Sequence, residues 1–153
     1  MRRWMIMLAA LLAVSLLPSQ GTELSRLRPA AVLVLWEDGK QITLETNMGD
    51  LGAGETLEDA LRDLRDSAPG EVLLDTVENL ILTENSRYLL PNLRGLLRPN
   101  VRVCTAEGEL DAEAAWQYLR VHEPNNKLRD VTDETRLQAL TWKEERFHLE
   151  NGS

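Results

Sequence analysis

An apolar run ending in an Asp-Gly pair constrains this fold more than any other stretch. Ala30 to Glu37 is almost wholly apolar, Asp38-Gly39 is a two-residue turn signal, and Lys40 to Thr46 alternates in polarity. Folding the segment about Asp38-Gly39 as a type I′ hairpin pairs Glu37 with Lys40, Leu35 with Ile42 and Leu33 with Leu44. Apolar then lies opposite apolar on one face. The opposite face sets Val34 and Trp36 beside Thr43 and Gln41, so it is expected to be lightly covered. Trp36 therefore either packs under a helix or loop or marks an exposed contact patch for a partner protein.

Asn47 to Gly54 reads as a glycine-rich loop. Thr56 opens a helix with Asp59 completing a capping pattern, and Leu57, Ala60, Leu61, Leu64 and Ala68 fall at helical spacing. Glu58 and Arg62 form an expected i,i+4 pair, and Pro69-Gly70 ends the helix. Val72 to Leu74 and Leu80 to Thr83 read as short strands. A second helix is expected from Leu89 to Leu97 with Pro91 in its first turn, followed by a strand from Val101 to Thr105. Asp111 caps a third helix running through Trp116, Leu119 and Val121. Thr132 to Arg146 is a helix candidate with a thin apolar stripe of Leu137, Leu140 and Phe147. The order β-β-α-β-β-α-β-α argues for a single α/β or α+β domain, a small mixed sheet with about three packed helices.

The first residues carry a different kind of information. Arg2 and Arg3 precede an apolar run from Trp4 to Val14 that continues through Leu16 and Leu17. Pro18 and Ser19 break it, and Gly21 offers a small residue for cleavage. That is the order of a secretory signal, with an uncleaved anchor as the alternative. The expected layout is a leader at 1–21, a lead-in at 22–29, the mixed-sheet domain at 30–123 and a polar, helical tail at 124–153. The protein is then exported, either secreted or held at the extracytoplasmic face of the membrane.

Charge narrows the partners. The chain has 17 Lys and Arg against 25 Asp and Glu, and losing the leader removes Arg2 and Arg3 and no acid. The mature net charge is about −10. Such a surface repels nucleic-acid phosphate and anionic lipid, so neither is an expected partner. Cys104 is the only cysteine, which leaves no intramolecular disulfide and a fold held by packing alone. That style fits a Gram-positive envelope better than a disulfide-forming periplasm.

No motif fixes a chemistry. Gly49-Asp50-Leu51-Gly52-Ala53-Gly54 stands where phosphate loops stand, but Glu55 and Asp50 would repel phosphate, so its glycines are assigned to turning the chain from an edge strand into a helix. His122 and His148 are isolated, and no cluster supplies metal ligands. Cys104 lies in an apolar strand, where a silent core thiol is the expected role. Asp63, Asp66 and Glu71 fall on solvated helix faces or element ends. No catalytic, cofactor-binding or metal-binding residue is assigned, no cofactor is expected, and Trp36 is the single candidate contact residue.

The stretch from Leu33 to Gly108 resembles the N-terminal domain of the Ger(x)C family, the C subunits of spore-germination nutrient receptors. The resemblance rests on the hairpin, on Gly54-Glu55-Thr56-Leu57-Glu58-Asp59-Ala60-Leu61, on the strand Leu80-Ile81-Leu82 before the Leu-rich helix 89–97, and on Val101-Arg102-Val103-Cys104 leading to Gly108. It implies an exported envelope module with a membrane or envelope protein as partner. Family members carry a lipid-bearing Cys after the signal peptide and continue into further domains. Here Pro18-Ser19-Gln20-Gly21 has no Cys, and the expectation is a stand-alone module. Two functions follow: a non-enzymatic module acting by protein–protein contact in spore germination, or an exported hydrolase or small-ligand binder using carboxylates or Cys104. Polar side chains converging in a concave pocket would favour the second.

Overall fold

The hairpin forms, but two residues out of the expected register. In the computed structural model, which describes residues 26–107 and 109–152, β2 (Val32–Asp38) and β3 (Gln41–Thr46) pair with Asp38 opposite Gln41 and Leu35 opposite Leu44. The leader expected at 1–21 lies outside the described residues. The turn centres on Gly39-Lys40 rather than Asp38-Gly39. Gly39 takes φ 62° and Lys40 does not enter the left-handed region, the pattern of a II′ turn with glycine first. The slip is even, so the faces survive it: Leu33, Leu35, Ile42 and Leu44 share one buried layer.

The second half of the expected loop at 47–54 is a strand. Gly49, at φ 77°, turns the chain, and β4 (Leu51–Gly54) returns antiparallel to β3 with Gly52 opposite Leu44. The helix α1 (Leu57–Ser67) lies directly upon it. A Cβ on Gly52 would sit 2.4 Å from the Ala60 carbonyl oxygen and the Leu64 nitrogen, and one on Gly54 would sit 2.5 Å from the Ala60 nitrogen. These glycines permit close approach, while only Gly49 serves the turn. The helix also covers the strand's outer edge: the Ala53 N–H donates to Asp63 Oδ2 at 2.8 Å, and Ser67 Oγ donates to the Leu51 carbonyl at 2.7 Å. Thr56 caps α1 as expected, its Oγ accepting from the Asp59 N–H at 3.1 Å. Arg62 pairs with Asp59 at 3.0 Å, three residues away, instead of with Glu58.

The lead-in ends in β1 (Leu27–Pro29), which pairs in parallel with β5 (Glu71–Leu73) as a separate two-stranded sheet. β6 (Asn79–Leu82) then joins β2 in parallel, and β7 (Arg102–Ala106) joins β6 in parallel. Between β6 and β7 the expected second helix is a 3-10 segment, Glu84–Leu89, followed by the one-turn α2 (Leu90–Leu93) with Pro91 in it. Asp111 caps α3 (Ala112–Leu119) by accepting the Ala114 N–H at 2.9 Å. The helix stops at Leu119, short of Val121, which is exposed.

Residues 124–152, expected as a polar helical tail, are instead mostly strand and irregular structure. β8 (Asn126–Lys127) pairs antiparallel with the start of β7, and β9 (Ala139–Lys143) pairs in parallel with its end along the same edge. β10 (Arg146–Glu150) closes an antiparallel hairpin with β9. Its turn residues, Glu144 and Glu145, stand at φ 51° and 61°. A two-residue turn with both φ positive wants Asn-Gly, so Glu-Glu there is strained and gives no sequence signal. Leu137, Leu140 and Phe147 are indeed buried, but in two different layers.

The class is the expected one, a mixed α/β sheet with three helices among the described residues, in the strand order β10-β9-β7-β6-β2-β3-β4 and with β8 beside β7. α1, α2 and the segment through Leu128, Val131 and Leu137 cover the face bearing Leu33, Leu35, Leu80 and Leu82. The other face bears Val32, Val34, Ile81 and Cys104 beneath α3. Val34 is 1% exposed, so the face expected to be lightly covered is closed at its centre.

Gly52→Ala is expected to cost about 2 kcal/mol or more, because the new methyl meets backbone and not a side chain that can swing away. Gly95→Ala meets nothing nearer than 3.6 Å and should shift stability by less than about 0.5 kcal/mol. Urea titrations of the two variants, read by circular dichroism, check the difference.

Candidate functional site

Aromatic side chains are unevenly distributed. Trp36, Trp116, Tyr118, Trp142 and Phe147 all belong to the face that α3 covers, leaving only Tyr88 elsewhere among the described residues. α3 is eight residues long, and its inward Ala112 and Ala115 let it lie close to the strands. One short helix cannot cover so wide a sheet, so the aromatics fill its flanks. Phe147 meets Trp142 edge-on at 4.7 Å and Tyr118 at 6.1 Å, and Tyr118 stacks on His122 at 4.4 Å. On the other flank the Arg120 guanidinium stands 5.2 Å from the Trp116 ring. Trp36 packs against this layer and stays partly exposed, and Trp142 is 60% exposed.

A groove of about 980 Å³ runs beside the Trp116 flank. Its walls carry Glu45 from β3, Glu78 before β6, and Asp111 and Glu113 from the start of α3. Burial holds the Glu45 carboxyl above its usual range, with Glu109 and Asp111 pushing in the same direction. Arg28 also lines the groove, but its guanidinium is held by Asp50 at 2.9 Å and by the Met48 carbonyl at 3.1 Å. Asp50, read in sequence as a charge that would repel phosphate, is 5% exposed and also accepts from Thr46 Oγ. The groove is thus acidic with an aromatic wall, a chemistry suited to a cation.

The residues weighed from sequence are scattered by comparison. Cys104 is fully buried, and burial alone pushes its pKa up to about 12. His122 lies against Tyr118, while His148 stands on β10 opposite Thr141. Asp63 is occupied with the β4 edge, and Glu71 is exposed on β5. Among the described residues no group of His, Cys, Asp or Glu is arranged to hold a metal. The carboxylates that do converge were not singled out in sequence, because only the topology unites a β3 position, a pre-β6 position and a helix cap. No known protein family, no curated protein and no solved structure matches this chain.

Glu45 gives a pH signature. Its folded pKa is raised, so the stability it allows is greatest below the ordinary carboxylate range and is lost as pH rises through the raised value. Glu45→Gln is expected to be more stable than the native protein at neutral pH, with the difference vanishing by about pH 4. Thermal melts at both pH values check this. Cys104 is expected to label with a thiol reagent only on unfolding, and Cys104→Ala should cost about 1 kcal/mol. The contribution of its burial to stability is intact below the unfolded thiol pKa and declines as pH rises toward about 12.

Proposed function

We propose that the chain is an exported, non-enzymatic module of the cell envelope that acts by protein–protein contact, in a spore-germination assembly of the kind its Ger(x)C-like element order suggests. The observation that carries this reading is the aromatic flank of the α3 face, with Trp142 60% exposed and Trp36 partly exposed. Exposed aromatics rimmed by charge are the composition of protein contact surfaces, because a large rigid ring buries much area at little entropic cost. An envelope or membrane protein is the partner class, reached after export by the leader at 1–21. No helix among the described residues is long and apolar enough to cross a membrane.

The acidic groove supports a second reading, a binder of a small cationic ligand. Glu45, Glu78, Asp111 and Glu113 converge there beside Trp116, the concave polar arrangement expected of that alternative.

In the host strain, removal of the gene is expected to slow nutrient-triggered germination. A copy carrying Trp36→Ser and Trp142→Ser should fail to restore the rate, while Glu45→Gln with Glu113→Gln restores it. The reverse pattern selects the groove and the ligand reading. N-terminal sequencing of the exported protein should begin near residue 22, and an intact Met1 in the membrane fraction would select the uncleaved anchor.

A further inference from the structure

The two ends of the sheet are treated differently. At one end β4 is closed, its outward Ala53 N–H and Leu51 carbonyl taken by Asp63 and Ser67 of α1. At the other end β10 is the last strand, with no strand or helix backbone bonded to its outer edge among the described residues. Among the described residues the bond there is that of the Leu149 N–H, which donates to the Tyr118 hydroxyl at 3.1 Å. That bond shows which groups face outward. Lys143 and Arg146 flank the two-residue turn and bond to each other, so by alternation His148 and Glu150 face β9 while Phe147 and Leu149 present N–H and C=O to the open side.

The order of residues on this edge is self-complementary. β10 reads Arg146-Phe147-His148-Leu149-Glu150. Laid antiparallel on a second copy and centred on His148, Arg146 falls opposite Glu150 of the second copy, Phe147 opposite Leu149, and His148 opposite His148. In that register the outward residues meet outward residues, so Phe147 and Leu149 of each copy exchange four N–H···O bonds. The Leu149 N–H then trades the Tyr118 hydroxyl for a carbonyl, one hydrogen bond for another. The side chains agree with the backbone. Trp142 pairs with Phe147 and Leu140 with Leu149 on the α3 face, so pairing the edges extends each into a four-residue apolar row across the junction. On the opposite face Arg146 of each copy comes opposite Glu150 of the other, where Glu150 also holds Lys143 of its own chain at 2.6 Å and Arg146 stands 3.6 Å from its own Glu144. The rows also cover part of Trp142, which is 60% exposed in the single chain.

We infer that β10 is a self-association edge, joining two copies of this chain about a twofold axis at His148 into one continuous sheet. The occupant is a second copy because charge and apolar order match only in the antiparallel self-pairing. A strand pair of this length buries less than a standard interface, so the dimer is weak and concentration-dependent. The inference is argued from the β10 edge and does not rest on the envelope reading, although the two share Trp142, which the dimer covers only in part.

Two measurements on the purified full chain test it. Facing residues of a non-hydrogen-bonded antiparallel pair have Cα atoms about 4.5 Å apart, within the span a disulfide bridges. His148→Cys is therefore expected to give a disulfide-linked dimer under oxidised glutathione, with Cys104 silent in the core. Glu58→Cys, on the exposed face of α1, should not. In sedimentation equilibrium, Arg146→Glu and Glu150→Arg should each weaken the dimer about tenfold, having placed like charges opposite each other twice. Mixing the two variants should restore it, because each like pair becomes an opposite pair. A protein monomeric at every concentration would overturn the inference. So would cross-linking of His148→Cys no faster than Glu58→Cys, or identical association of both charge variants and their mixture.

Discussion

Val32 to Leu35 pair in parallel with Asn79 to Leu82, and a parallel pair cannot be closed by a turn. The chain must leave the sheet, cross one face and come back in the same direction. The hairpin, β4, α1 and β5 are all spent on that return. Because β2 is thereby flanked on both sides, Val32 through Leu35 are each no more than 1% exposed, and both faces of the sheet need cover. α1 and α2 supply it on one side and α3 on the other. The corner that begins the crossover is fastened by polar groups. Asn47 Oδ1 accepts from the Ala31 and Val32 N–H groups at 2.8 and 3.1 Å, and the buried Asp50 holds Arg28. These bonds tie the end of β3 to the start of β2, so the hairpin and the parallel sheet share one junction. A buried carboxylate is costly unless paired, and Asp50 has both Arg28 and Thr46.

α1 then contributes twice. Its apolar stripe of Leu57, Ala60, Leu61 and Leu64 fills the layer under the sheet. Its polar face reaches over the rim, where Asp63 and Ser67 take the groups that an incoming strand would need. Both depend on contact distance, and that distance is set by Gly52 and Gly54. With any side chain at those positions the helix would stand off, its stripe would pack less tightly, and the two edge bonds would lengthen past use.

Local signals were legible in the sequence, and pairings decided at a distance were not. The Thr56 and Asp111 caps, the core stripe of α1 and the apolar strand around Cys104 follow from neighbours within a few residues, and each stands where the spacing put it. The hairpin register is not legible locally, because Asp-Gly fits a I′ turn as well as Gly-Lys fits a II′ turn, and both put the same residues on each face. Leu51 to Gly54 read as a loop because two of its four residues are glycines, a composition that in a strand makes sense only with a helix pressed against it. The hairpin of β9 and β10 was hidden by its turn, since Glu144-Glu145 carries none of the residues that a positive φ favours. The acidic groove was hidden for a related reason: Glu45, Glu78 and Asp111 each look like a solvated charge until the sheet order brings them together.

The unequal edges bear on what kind of association this molecule can sustain. A sheet with two open ends grows without limit, and a sheet with none stays alone. Closing β4 with side chains of α1 leaves one direction for addition, and an edge whose residue order is complementary to itself uses that direction once. In the main sheet, two copies joined in this way present closed β4 ends outward, so growth of that sheet stops at two with twofold symmetry. The acidic surface acts in the same sense, since net negative charge opposes any contact that lacks a matched pairing of opposite charges. At β10 that matching exists, Arg146 to Glu150, within an edge otherwise apolar on one face. The strain at Glu144-Glu145 fits this economy as well: a tight I′ tip gives the hairpin its right-handed twist and keeps its end charged. Strand pairing is thereby confined to the five residues beyond it.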